Sequence, residues 1–264
     1  MEQPQTGNEF STAPARAPVS QAEREAEIQR LAGEIGRLIR ESDPETRRYS
    51  PHYYVADILK LLDQEGIADA VFVGTSLGGL CTMQLASTDA DRIAGAMLND
   101  IGPEIDQLGL ERIGGYVGRE TAFASWEDAS HALASRNADI YPTWTADEWD
   151  RFARRICHQT SDGIRFQYDM RIADNFSAAA NSPDAKRWPL YRALAGRPVT
   201  IVRGELSDLL SQDVAEQMVD ALGEDAELVV VPEVGHAPTL EEPEAQVAID
   251  RLLERVLARE EIFE

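Results

Sequence analysis

Five consecutive residues, Gly74-Thr75-Ser76-Leu77-Gly78, constrain this chain more than any others. Before them stands Ala70-Val71-Phe72-Val73, a short apolar run with β-branched residues that reads as a buried strand. After them, Leu77 to Ser87 reads as a helix. A G-x-S-x-G pattern between a strand and a helix implies a sharp turn with serine at its apex. The flanking glycines fit because side chains there would clash with neighbouring backbone. Such a turn lifts the serine Oγ clear of the sheet, and the helix N-terminus behind it favours negative charge nearby. The pattern alone is a weak signal, and its position between strand and helix is what gives it weight.

The rest of the chain repeats the strand–helix theme. A helix is expected from about His52 to Glu65, with Val55, Ile58, Leu59 and Leu62 on one face and Gly66 as its stop. Strands are expected at Ile93 to Leu98, Pro198 to Val202 and Glu227 to Val231. Helices are expected at Asp213 to Leu222 and Pro243 to Leu257, the latter with Val247, Ile249, Leu252, Leu253 and Val256 mostly on one face. Alternating strands and helices predict an α/β protein with a mostly parallel sheet covered on both faces. Between Glu104 and Leu194 the pattern is helical and broken, with Trp126, Trp144, Trp149 and Trp188 and no strong strand.

The N-terminal region reads differently. Residues 1–19 are rich in Gln, Pro, Ala, Ser and Thr and read as a disordered tail. Ser20-Gln21-Ala22-Glu23 reads as a capping box opening an amphipathic helix within residues 20–48. Ile28, Leu31, Ile35, Leu38 and Ile39 form its apolar face, and Asp43-Pro44 ends it. Several Glu on its polar face favour packing on protein over a membrane surface.

Charge and cysteine use narrow the function classes. The 264 residues carry 47 acidic and 25 basic side chains, a formal net charge of −22. That surface repels phosphate backbones and anionic membranes, so neither nucleic acid nor a membrane is expected as a partner. No apolar run reaches the length of a membrane span, and no secretory signal is read at the N-terminus. Cys81 and Cys157 belong to no metal-binding pattern, and one disulfide is possible but not required. A reducing cytoplasm is the expected compartment.

A serine nucleophile needs a base. Of the four histidines, His52, His131, His158 and His236, only His236 follows an expected strand, in Gly235-His236-Ala237-Pro238. The acid that orients the imidazole has three candidates. Asp208, after the strand at 198–202, is favoured; Glu205 and Asp100, the latter after the strand at 93–98, are its rivals.

From Tyr49 to Glu264 the chain resembles α/β-hydrolase-fold serine hydrolases of the bacterial esterase type. The resemblance rests on Val71-Phe72-Val73-Gly74-Thr75-Ser76-Leu77-Gly78-Gly79, Leu98-Asn99-Asp100-Ile101-Gly102-Pro103-Glu104, Val202-Arg203-Gly204-Glu205-Leu206-Ser207-Asp208 and Val234-Gly235-His236-Ala237-Pro238. It implies a core built from residues 49–103 and 195–264, with a helical cap at 104–194. It also implies an order of nucleophile, acid and base of Ser76, Asp208 and His236. The Leu77 backbone N–H becomes an oxyanion donor, the substrate a small acyl compound, and no metal or organic cofactor is called for. The alternatives are an impaired relative kept as a binding module, or the same residues serving an acyltransferase, lactonase, carbon–carbon hydrolase or cofactor-free haloperoxidase-like reaction.

The resemblance thins before Val71. No histidine precedes His52, and no strand-like run precedes Val71. Where the family carries an Arg-Gly-x-Gly-x-Ser stretch, Arg37-Leu38-Ile39-Arg40-Glu41-Ser42-Asp43 keeps only the arginine, the serine and the aspartate. The first strands therefore read as missing, with the helix at 20–48 in their place. Two consequences are expected. The strand at 71–73 would leave an apolar edge open to self-association as a homo-oligomer. One oxyanion donor would be lost, which costs about 100- to 1000-fold in rate.

Overall fold

The computed structural model describes residues 49–119, 121–174 and 187–263. The tail expected at 1–19, the helix expected at 20–48 and the question of the first strands all lie outside these residues.

A four-stranded, wholly parallel sheet forms the centre of the described fold. Its strands are β1 (Ala70–Thr75), β2 (Ile93–Asn99), β6 (Val199–Gly204) and β7 (Ala226–Val231), side by side in the order β1-β2-β6-β7. The sequence places each within a residue or two of where it lies, because each carries a short apolar run; only the inner strands β2 and β6 are buried nearly throughout, while β1 and β7 are partly exposed. Alternation then sends successive side chains to opposite faces. Ala96 and Leu98 of β2, with Val199 and Ile201 of β6, enter one core cluster, while Met97 and Val202 enter a second.

The first cluster is closed by α1 (Pro51–Glu65), α2 (Leu77–Thr88), α6 (Arg187–Arg192) and α7 (Gln212–Leu222). α1 buries Val55 and Leu62, packs Ile58 and Leu59 against the same core, and ends at Gly66 with φ of 65°. The second cluster is closed by α8 (Pro243–Phe263). Its buried stripe is Ala245, Ala248, Leu252 and Val256, whereas Val247 and Leu253, expected on that face, are exposed. Two alanines let the helix approach the sheet closely, and this small-residue stripe is invisible to a search for large apolar side chains.

The segment between β2 and β6 divides its buried side chains: Leu110 and Tyr191 enter the first cluster, while residues 123–164 supply much of the second. It contains α3 (Gln107–Gly114), α4 (Trp126–Asn137) and α5 (Ala146–Ile156), as the helical pattern predicts. It also contains a small antiparallel sheet that the sequence did not reveal: β3 (Ala122–Phe123), β4 (Cys157–Thr160) and β5 (Gly163–Phe166), in the order β3-β5-β4. These strands are two to four residues long, and His158, Gln159 and Thr160 are polar, so no apolar period marks them. The hairpin turns at Ser161-Asp162 and enters Gly163 with φ of 118°. The aromatics of the segment pack largely on one another. Tyr141 stacks on Trp144 at 3.8 Å between ring centroids, and Trp149 meets both edge-on.

Candidate active site

All four parallel strands end on the same edge of the sheet, and each carboxyl end leads into a loop or turn that carries a site residue. This is where open α/β sheets build their sites. The register fixes the neighbours: Thr75 pairs with Asn99, and Asn99 with Val202. Ser76, Asp100 and the loop after Gly204 therefore emerge side by side.

Ser76 occupies the turn between β1 and α2 with φ of 50° and ψ of −112°, a conformation side chains seldom adopt. Its N–H donates to the Asn99 carbonyl at 3.0 Å. Gly74 is needed here, because a Cβ would lie 2.5 Å from the Gly78 carbonyl carbon. Gly78 is not constrained in the same way: among the described residues a Cβ there meets nothing within 4 Å. The second close approach is one residue later, where a Cβ on Gly79 would lie 2.3 Å from Ile101 Cγ2. Gly79 and Leu80 donate to the Ser76 carbonyl. The Leu77 N–H, at the first position of α2, has no partner in the helical ladder.

His236 lies in the loop after β7, as expected, with its side chain only 8% exposed. Its Nε2 is 3.0 Å from Ser76 Oγ, and its Nδ1 is 2.8 Å from Asp100 Oδ2. The other three histidines stand apart. His52 is exposed on α1, His131 exposed on α4, and His158 exposed on β4 rather than in a helix.

The expectation that Asp208 would meet His236 is corrected by this geometry. Asp208 forms a two-pronged ion pair with Arg112 of α3, Nε to Oδ2 at 2.5 Å and Nη2 to Oδ1 at 2.7 Å. Burial alone would push its carboxyl up, but hydrogen bonds and charge from Arg112 outweigh this and hold it below the usual carboxylate range. Glu205, the other rival, accepts from the Glu233 N–H at 2.9 Å. Asp100 is the carboxylate beside the imidazole. It is fully buried, has φ of 55°, and accepts the Gly204 N–H at 2.9 Å and the Ser207 hydroxyl at 2.6 Å. Two features mark Asp100 in the sequence: it directly follows a strand, and aspartate tolerates positive φ better than most residues.

Further side chains hold the His236 loop. The Asn99 Nδ2 donates to Thr75 Oγ1 at 2.9 Å and to the Pro238 carbonyl at 2.8 Å. Tyr141 Oη donates to the Ala237 carbonyl at 2.7 Å, and the Gly235 N–H donates to the Ile140 carbonyl at 2.7 Å. Sequence reasoning missed the anchors at Ile140 and Tyr141, since neither belongs to a recognisable motif, and it did not single out Asn99 within the stretch at 98–104. Cys81 and Cys157 are separate, buried free thiols, each pushed by burial up to about 11. Among the described residues no cluster of His, Cys, Asp or Glu is arranged to hold a metal ion, and no helix is long and apolar enough to cross a membrane.

A serine on a strained strand-to-helix turn, facing an imidazole at the carboxyl edge of a parallel sheet, defines the α/β class of hydrolases. The chain belongs to the alpha/beta hydrolase family, whose sequence model matches residues 29–250. It is 34% identical over 204 residues to the 3-hydroxybutyrate-oligomer hydrolase of Cupriavidus necator, covering 74% of this chain and 68% of that one. It is 29% identical over 198 residues to the 2-(acetamidomethylene)succinate hydrolase of Mesorhizobium japonicum, covering 74% and 67%. Among solved structures, an alpha/beta hydrolase from Novosphingobium aromaticivorans is 49% identical with a TM-score of 0.76, over 81% of this chain and 75% of that one. The protein is accordingly an enzyme of hydrolase type.

Proposed function

We propose that this enzyme cleaves carboxylic esters through an acyl-enzyme, with Ser76 as nucleophile, His236 as general base and acid, and Asp100 as the residue that holds the imidazole. The observation that carries this reading is the unbroken line from Asp100 Oδ2 through His236 to Ser76 Oγ, with spacings of 2.8 and 3.0 Å. A carboxylate only accepts, so Nδ1 carries the proton and Nε2 offers its lone pair to the serine hydroxyl. Ser76 Oγ attacks the ester carbonyl as Nε2 takes its proton. The same proton passes to the departing alcohol. Water, activated in turn by Nε2, then releases the acid. The Leu77 N–H donates to the oxyanion formed in both steps.

The segment at 104–194 acts in this reading as a cap, because Ile140 and Tyr141 reach the two sides of His236. The substrate class follows from the Cupriavidus necator relative, named for hydrolysing 3-hydroxybutyrate oligomers. Units of a hydroxy acid are joined by ester bonds, so a short oligomer of this kind is the first substrate to test. A fluorophosphonate probe should label the protein, and Ser76→Ala should abolish labelling. p-Nitrophenyl acetate and the 3-hydroxybutyrate dimer should both be turned over, with loss on His236→Ala. Absence of both labelling and turnover in the wild-type protein would favour a binding module instead.

A further inference from the structure

We infer that Ser207 is a positioning residue that holds the Asp100 carboxylate in the orientation His236 needs, an inference that rests on the ester-hydrolase reading above. Its Oγ lies 2.6 Å from Asp100 Oδ2, the same oxygen that faces His236 Nδ1. The direction of that hydroxyl is not free. Oγ also accepts the N–H groups of Leu209 at 3.2 Å and Leu210 at 3.1 Å. With its acceptor directions occupied, the single hydroxyl proton points at Asp100, and 2.6 Å is the spacing of a charge-assisted O–H···O⁻ bond.

The loop that carries Ser207 is itself braced from within. The guanidinium of Arg203, 8% exposed, donates to the carbonyls of Leu210 at 2.8 Å, Glu205 at 3.2 Å and Ser207 at 3.5 Å. The Leu206 N–H reaches the Val234 carbonyl at 2.9 Å, which ties this loop to the one bearing His236. At its start, the Gly204 N–H donates to Asp100 Oδ1. One loop thus holds both oxygens of the carboxylate and stops rotation about Cβ–Cγ. Asp208, the next residue, turns to Arg112, so in this protein the loop after β6 supplies a cradle for the acid rather than the acid itself.

Ser207 makes its contact with Asp100, not with the reacting atoms, so its removal should act on turnover and not on substrate affinity. With p-nitrophenyl acetate and the full-length protein, Ser207→Ala should lower kcat by about 10- to 100-fold, the scale on which loss of a supporting contact or slight misplacement acts. KM should stay within about twofold of wild type. Ser207→Thr, which keeps the hydroxyl, should restore kcat to within about threefold, and Ser207→Ala should add less than about threefold to the loss caused by Asp100→Asn, as expected of residues acting as a unit. Should Ser207→Ala not fold by thermal melt, Ser207→Cys, whose S–H is a weak donor, takes its place in each arm. Wild-type kcat in the Ala variant alongside an inactive Asp100→Asn would overturn the inference and leave the hydrolase reading standing. So would full additivity of the two substitutions, or a Thr variant as impaired as Ala. An active Asp100→Asn would instead remove Asp100 from the proposed line of residues and the inference with it, a result distinct from loss of probe labelling and turnover in the wild-type protein, which would strike the ester-hydrolase reading.

Discussion

His236 Nδ1 stands 2.8 Å from Asp100 Oδ2, while Asp208 is held by Arg112 in a two-pronged pair. The two aspartates are both at the carboxyl edge of adjacent strands, yet only one faces the imidazole. Asparagine substitutions should separate them. Asp100→Asn should lower kcat by about 10³- to 10⁴-fold, because an amide in that position no longer enforces the tautomer that lets Nε2 accept the serine proton. Asp208→Asn should leave kcat within about tenfold of wild type, since its carboxylate serves Arg112 rather than the reacting groups. Steady-state kinetics on one chromogenic ester decides the matter, and the reverse ranking would restore Asp208 as the acid.

The Arg112–Asp208 pair has its own signature in stability. Arg112 holds the Asp208 carboxyl below the usual range despite the opposing effect of burial. A group whose native value is depressed stabilises the fold above its unfolded value of about 3.9 and loses that contribution as pH falls through the native one. Asp208→Asn should therefore cost about 1–2 kcal/mol at pH 7, less than a fully buried charge-assisted hydrogen bond because solvent screens the partly exposed pair. The gap between variant and wild type should narrow as pH falls from about 5 towards 3. Urea unfolding midpoints of both proteins across that range test this, and a gap independent of pH would contradict it.

Much of the architecture is visible in the sequence because the central strands are apolar runs and the long helices carry an apolar face. Ser76 and His236 are visible for a related reason: each sits just past a strand, in a glycine-marked turn. The choice of acid is harder. The sheet order β1-β2-β6-β7 sets both β2 and β6 between the strands that present Ser76 and His236, so a carboxylate after either strand can reach the imidazole. What settles it is a partner 96 residues away in the chain, Arg112, which captures Asp208. Tertiary partners of that kind leave no local trace. The same holds for β3, β4 and β5, strands too short to show a period, which pair only because the folded segment brings them together.

The glycines of the turn should not respond alike. A Cβ at Gly74 runs into backbone at 2.5 Å, and backbone has little room to yield. Gly74→Ala should cost about 3 kcal/mol or more and eliminate probe labelling of Ser76. Gly78 lies inside α2 with open space around it among the described residues. There alanine should be tolerated and could gain up to about 1 kcal/mol from helix propensity. Chemical denaturation of the two variants measures both effects, and equal destabilisation would mean that the open space at Gly78 is not retained in solution.

Tyr141 connects the segment between β2 and β6 to the base. Its hydroxyl donates to the Ala237 carbonyl, one residue past His236, while the neighbouring Ile140 carbonyl accepts from Gly235, one residue before it. Burial, aided by the charge of Glu242, pushes the tyrosine hydroxyl far above its ordinary value. Tyr141→Phe preserves the ring stacked on Trp144 and deletes only that donor. The partly buried Ala237 carbonyl then loses its partner, at a cost of about 1–2 kcal/mol. If the contact also fixes the imidazole, kcat should fall by up to about tenfold, since small displacements of a reacting group are costly. Melting temperature and kcat measured together distinguish the two roles: a lower melting temperature with unchanged kcat would confine Tyr141 to holding the fold, whereas a loss in both would make this segment part of the machinery that aims His236.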